Sequence, residues 1–141
     1  MDPLEYFNNG FNCAESVLLA LSDCLGLTSD CIPKVATGFG GGMKTGSVCG
    51  AVSGALMAFG LIHGRTHVRE VEKRNTAYQL VQEFVTQFEK EHTTIVCQTL
   101  LGVNVQTEEG RKKYREENLH LKCQVYVTTA FQIARTLLAA E

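Results

Sequence analysis

A chain of 141 residues, 45% apolar and 20% charged with only 2 prolines, is long and apolar enough for one folded domain, and this composition excludes a disordered tail. A net charge of −2 with no block of Lys or Arg excludes the basic footprint of a nucleic-acid binder. Acidic residues in Met1-Asp2-Pro3-Leu4-Glu5 are wrong for a signal peptide. The longest apolar run, Val48 to Ile62, is about 15 residues against the roughly 20 a bilayer requires, so the chain is expected to be cytoplasmic, without membrane insertion.

Asn12 opens the first predicted helix, which runs to about Leu25. Cys13, Val17, Ala20, Leu21 and Cys24 share one face, and Gly26 supplies the stop. Pro33 marks a short segment, and Thr37 to Gly46 reads as a glycine-rich loop containing Gly40, Gly41 and Gly42. Ser47 is then expected to cap a long apolar helix ending near Gly64. Along it Ser47, Ala51, Gly54, Ala55 and Ala58 make a stripe of small residues. Glycine costs about 1 kcal/mol against alanine inside a helix, so Gly50 and Gly54 predict close approach by a neighbour. That makes this segment the central helix of a bundle; the same stripe would also serve a homodimer, although burial within one chain is favoured.

Glu70 to His92 is the clearest helix, with Val71, Tyr78, Val81, Phe84, Val85 and Phe88 at helical spacing as a core stripe. Ile95 to Leu101 is a short helix closed by Gly102, and Thr107 caps a charged one. There Lys112, Lys113 and Arg115, beside Glu108, Glu109, Glu116 and Glu117, read as a solvated mixed-charge face. The last helix, about Leu119 to Ala140, aligns Cys123, Val127, Ala130, Phe131, Ala134 and Leu138. Its β-branched run from Val125 to Thr129 keeps helical spacing through Ile133 and Leu137. The expected fold is all-α, a single-domain helical bundle over residues 1–141 with a glycine-rich loop before a central small-residue helix.

Six cysteines in a chain expected to be cytoplasmic point to metal-binding or redox roles, with core packing as the alternative. Cys13 and Cys24 lie about 16 Å apart along one helix and cannot share a site. No C-x-x-C pair is present, so any thiol site must be assembled from separate helices.

Phe11-Asn12-Cys13-Ala14-Glu15-Ser16-Val17, then Gly40-Gly41-Gly42, then Gly46-Ser47-Val48-Cys49-Gly50-Ala51-Val52-Ser53-Gly54-Ala55 resemble the signature of the C_GCAxxG_C_C family of proteins described as redox-active. The resemblance covers nearly the whole chain and maps the family's four cysteines onto Cys13, Cys49, Cys97 and Cys123, which it implies to be the redox-active thiols. A similar domain occurs in split-Soret cytochromes beside haem and an iron–sulfur centre. The C-x-x-C-H of haem attachment is missing here, so no haem is expected. Cys24 and Cys31 fall outside the four and are expected to fill the core.

Four thiolates match an iron–sulfur cluster or another thiolate-bound metal, which is the favoured reading; thiol–disulfide exchange needs the same residues. Cysteines near helix starts are expected to have lowered pKa. Gly40, Gly41, Gly42 and Gly50 are candidate cofactor contacts through their amides. His120, three residues before Cys123, is a further candidate ligand. The third reading is a helical interaction protein whose cysteines only pack. A redox partner is expected but not identified by the sequence.

Other motifs fail. Met43 stands where a phosphate-binding loop needs glycine, so no nucleotide is expected. Ser16, Ser47 and Ser53 lack a histidine and acid for a hydrolase triad. His63 and His67 are four apart, but Gly64 and Arg65 interrupt the helix between them and put them in a loop.

Overall fold

Asp2 accepts the Leu4 amide (2.8 Å) and Pro3 occupies the first helical position, so the chain enters helix α1 (Pro3–Asn8) at once. In the computed structural model, which describes residues 1–140, six further α-helices follow: α2 (Cys13–Leu25), α3 (Gly50–His63), α4 (Val71–His92), α5 (Cys97–Leu101), α6 (Glu108–Glu116) and α7 (His120–Ala139). The fold is all-α. Among the described residues the one extended pairing is an isolated antiparallel bridge between Val48 and Val96. Among the described residues no helix is long and apolar enough to cross a membrane.

α3 is central as predicted, packed against α2, α4 and α7, and α7 in turn touches α1, α2, α3 and α4. Ala51, Ala55 and Ala58 are fully or almost fully buried, so the small-residue stripe packs inside the chain. Phe59 of α3 meets Phe84 of α4 edge-on at 5.8 Å, and Phe84 stacks with Phe88 at 6.0 Å. All three rings are fully buried, each contributing about 2–3 kcal/mol relative to exposure.

The segment between α2 and α3 is more ordered than a loop. A 3-10 turn (Lys34–Phe39) leads into Gly41, Gly42, Met43 and Lys44, whose φ angles of 64°, 63°, 59° and 58° form a left-handed turn. Two glycines admit this conformation freely; Met43 and Lys44 each hold it at a cost of about 1–2 kcal/mol.

Ser47 does not cap α3. Its carbonyl accepts the Cys97 amide (2.6 Å), while the Cys49 amide donates to the Ile95 carbonyl (2.7 Å). Residues 47–49 are therefore extended, and the helix starts at Gly50 with Cys49 as its N-cap.

Cys24 and Cys31 are exposed, against the expectation that they fill the core. The buried residues of α2 end at Ser22, so the face carrying Cys24 runs past the packing of its neighbours. His63 is the last residue of α3, and His67 lies in the following loop, where Nδ1 accepts the Arg69 amide (3.2 Å).

Candidate functional site: a four-thiol cavity

Each of the four cysteines sits at the start of a helix, and local chemistry fixes each one. Asn12 forms a capping box with Glu15: Asn12 Oδ1 accepts the Glu15 amide (2.8 Å) and Glu15 Oε1 accepts the Asn12 amide (2.9 Å). Cys13 is thereby held at the first position of α2. Asn12 Nδ2 donates to the Thr37 carbonyl (3.0 Å) and Thr37 Oγ1 to Glu15 Oε2 (2.8 Å), which ties the 3-10 turn to the same cap. The 48–96 bridge places Cys49 at the N-cap of α3 and Cys97 at the first position of α5, on one side of the paired segments. Cys123 lies in the opening turn of α7, where its sulfur accepts the Tyr114 hydroxyl (3.5 Å).

All four cysteines line one cavity of about 640 Å³. Around them its wall is built from Phe7, Leu100, Leu101, Val105, Tyr114 and Tyr126. Tyr126 is anchored by donating to the Leu100 carbonyl (2.9 Å).

The glycines divide. Gly41 and Gly50 line the cavity, whereas Gly40 and Gly42 pack behind it. A Cβ on Gly40 would stand 2.6 Å from Asn12 Cγ, and one on Gly42 2.7 Å from Cys97 Cβ. Gly50 abuts the Cys13 sulfur itself, and a Cβ on Gly54 would stand 2.5 Å from the Ala14 carbonyl oxygen. The glycines of C-G-A-x-x-G thus let the start of α2 lie directly on α3, which brings Cys13 and Cys49 to the same wall.

His120 is not brought to the sulfurs. Its ring stacks on Phe7 (4.4 Å between centroids, 4° between planes) and Nε2 donates to Asn8 Oδ1 (3.2 Å), so it is committed to α1.

The thiol acidity runs opposite to the expectation from helix starts. Burial pushes Cys49 far up, reinforced by Cys13 and Cys97 and only partly offset by the Ala51 and Val52 amides. Cys97 is pushed up to about 12, by burial first, then by Cys123 and Cys13, with Lys44 opposing. Burial also raises Cys123 to about 11, against the lowering effect of the Tyr114 hydroxyl, with Cys13 adding to the rise. Tyr114 is raised by burial and by its bond to Cys123. Desolvation of the charged form outweighs the dipole of a helix start. These groups bind protons more tightly folded than unfolded. The metal-free chain is therefore expected to keep its full stability below about pH 9 and to lose it as pH rises toward 12, read as a falling urea midpoint at stepped pH. A midpoint flat across that window would contradict the burial of the thiols.

Sequence reasoning missed Tyr114, Tyr126 and three cations of the wall, Lys44, Arg111 and Arg115. For α6 the signal was available: Arg111, Tyr114 and Arg115 stand at i, i+3 and i+4, one face of a helix. Lys112 and Glu116 pair across 4.0 Å of helix surface, as a solvated charge pair should.

An all-α fold that gathers four unpaired, chain-distant cysteines around one cavity defines a thiol-site protein. The chain belongs to the C_GCAxxG_C_C family, whose model, described as "Putative redox-active protein (C_GCAxxG_C_C)", matches residues 11–137. No curated protein and no solved structure gives a significant match.

Proposed function

We propose that this chain is an electron-transfer protein in which Cys13, Cys49, Cys97 and Cys123 hold an iron–sulfur cluster in the cavity. The observation that carries the reading is that all four family cysteines, drawn from four helix starts, face one cavity. Among the described residues no three His, Cys, Asp or Glu side chains converge to hold a metal ion, so the wall does not suit a single bare ion. Four soft donors spread around a 640 Å³ space suit a polynuclear group instead. Burial keeps Cys49, Cys97 and Cys123 protonated until a metal displaces the protons, and as thiolates they would repel one another without a shared cation. Bound there, a cluster would supply one-electron transfer; the chain's own part is to hold it, exclude water with Leu100, Leu101 and Tyr126, and steady Cys123 through Tyr114. Six unpaired cysteines suit a reducing, cytoplasmic setting. Anaerobic purification followed by iron and sulfide analysis and a UV–visible spectrum is expected to show iron with visible absorbance. A colourless chain without iron, whether or not it holds zinc, overturns the reading.

One observation favours thiol–disulfide exchange as the second reading: Cys49 and Cys97 are diagonal neighbours across the 48–96 bridge. Diagonal neighbours stand roughly 7–8 Å apart, whereas a disulfide needs about 4.4–6.8 Å between Cα atoms. Closing it requires the bridge to shift, which ranks this reading second. Free-thiol counts that stay the same after mild oxidant and after reductant would exclude it.

A further inference from the structure

We infer that the thiol cavity is a binding site for a small organic anion, a molecule bearing a carboxylate or phosphate, which meets Lys44, Arg111 and Arg115 at the rim. This rests on the redox reading of the cavity and deepens it by naming the class of molecule that its rim takes.

Three cations line the cavity and, among the described residues, no Asp or Glu does. The chain carries 15 acidic residues against 13 basic ones, so carboxylates are not scarce. Yet among the described residues none of these three cations forms an ion pair with a carboxylate. Arg111 and Arg115 lie four apart on the cavity face of α6, an arrangement that costs a few tenths of a kcal/mol through like-charge repulsion unless an anion sits between them.

The cations are also positioned in advance. Arg111 Nη1 donates to the Gln106 carbonyl (2.8 Å) and the Val105 carbonyl (3.2 Å), which fixes one edge of the guanidinium and leaves the other free. Lys44 is held at φ 58°, ψ 13°, a left-handed conformation unfavourable for any residue with a Cβ. Strain of that kind concentrates where a side chain has a ligand to meet. Exposed residues form this side of the wall, so the rim faces solvent.

The remaining wall sets the rest of the ligand's chemistry. At about 640 Å³ the cavity has the size of a small-molecule site. Leu100, Val105, Tyr114 and Tyr126 offer an apolar and aromatic surface to the body of such a molecule, with its charge left at the rim.

The test compares two alkylating reagents of matched size, anionic iodoacetate and neutral iodoacetamide, on the reduced, metal-free full chain, with modification at each cysteine followed by mass spectrometry. Exposed Cys24 and Cys31 serve as references within the same molecule. At the half-buried cavity thiols Cys13 and Cys123 the iodoacetate-to-iodoacetamide rate ratio is expected to be about tenfold higher than at the references. It should fall toward theirs in about 0.5 M salt, and in the Lys44→Gln, Arg111→Gln, Arg115→Gln variant. An unchanged iodoacetamide rate in that variant shows that its fold persists. Adding succinate or inorganic phosphate at equal ionic strength identifies the preferred anion by which of them slows iodoacetamide at Cys13. Equal ratios at all four cysteines, cavity thiols that resist both reagents, or protection by neither anion would each overturn the inference. A chain that binds no iron leaves these ratios standing, so the two readings fail separately.

Discussion

Gly54→Ala is expected to unfold at a clearly lower urea concentration than the parent, while Gly60→Ala, six residues on in the same helix, unfolds at a higher one. Helix propensity acts alike on both, favouring alanine by about 1 kcal/mol. What differs is the space. A Cβ on Gly60 meets nothing within 4 Å, so the propensity gain survives. A Cβ on Gly54 would stand 2.5 Å from the Ala14 carbonyl oxygen and 3.2 Å from the Ala14 carbonyl carbon and Cα. Those atoms are backbone of α2 and cannot swing aside as a side chain would. The helices must separate, which loosens the fully buried Ala14, Val17 and Leu18 on one side and Ala51, Val52 and Ala55 on the other. Overpacking of this kind costs about 1–3 kcal/mol, and with backbone against backbone the upper end applies. The net loss is about 2 kcal/mol for Gly54→Ala against a gain of about 0.5–1 kcal/mol for Gly60→Ala. Equal shifts in the two variants would mean that α2 and α3 do not touch at Gly54. Because the same contact aligns Cys13 with Cys49, Gly54→Ala is also expected to weaken whatever the four thiols hold.

That contact was legible in the chain itself. Gly50 and Gly54 stood out as unfavourable inside an apolar helix, and only a close neighbour makes sense of them. Periodicity and caps likewise marked α2, α4 and α7 to within a residue or so of their ends, and Thr107 at the start of α6. Local chemistry decides these features, so a local reading finds them. The misses share the opposite cause. Ser47 resembled a cap, but its carbonyl and the Cys49 amide are taken by residues 95–97, some fifty positions away. Cys24 has core-like spacing, yet whether a last helical turn is covered depends on where its neighbours end. The thiols at helix starts were expected to be acidic; burial, which no spacing reveals, made Cys49, Cys97 and Cys123 the reverse. Helix α1 lies apart from these, because Asp2 and Pro3 carried its signal openly.

Replacing any one of Cys13, Cys49, Cys97 or Cys123 with Ala is expected to lower iron per chain by tenfold or more, while Cys24→Ala and Cys31→Ala keep the parental content. Losing even an outer-shell partner costs metal sites about 10–100-fold in affinity, and a direct ligand costs at least that. The stability cost should be small by comparison, about 1 kcal/mol, because each of the four sulfurs borders an existing cavity and its removal enlarges that space instead of opening a new void. Retained fold with lost iron is thus the expected signature. The three readings of the cysteines give three patterns. A cluster makes the four variants equivalent. A Cys49–Cys97 disulfide makes only those two matter, and their double variant no worse than either single one. Cysteines that merely pack shift stability and leave iron and redox readouts alone. Proton release adds a check that variants do not provide. Cys97 and Cys123, at about 12 and 11, are protonated at neutral pH, and Cys49 is pushed in the same direction. Loading must therefore expel about one proton from each of these three thiols, read as a buffer-dependent heat in calorimetry. Iron that binds at pH 7 without releasing protons is bound elsewhere, because these buried sulfurs cannot coordinate a metal and keep their hydrogens.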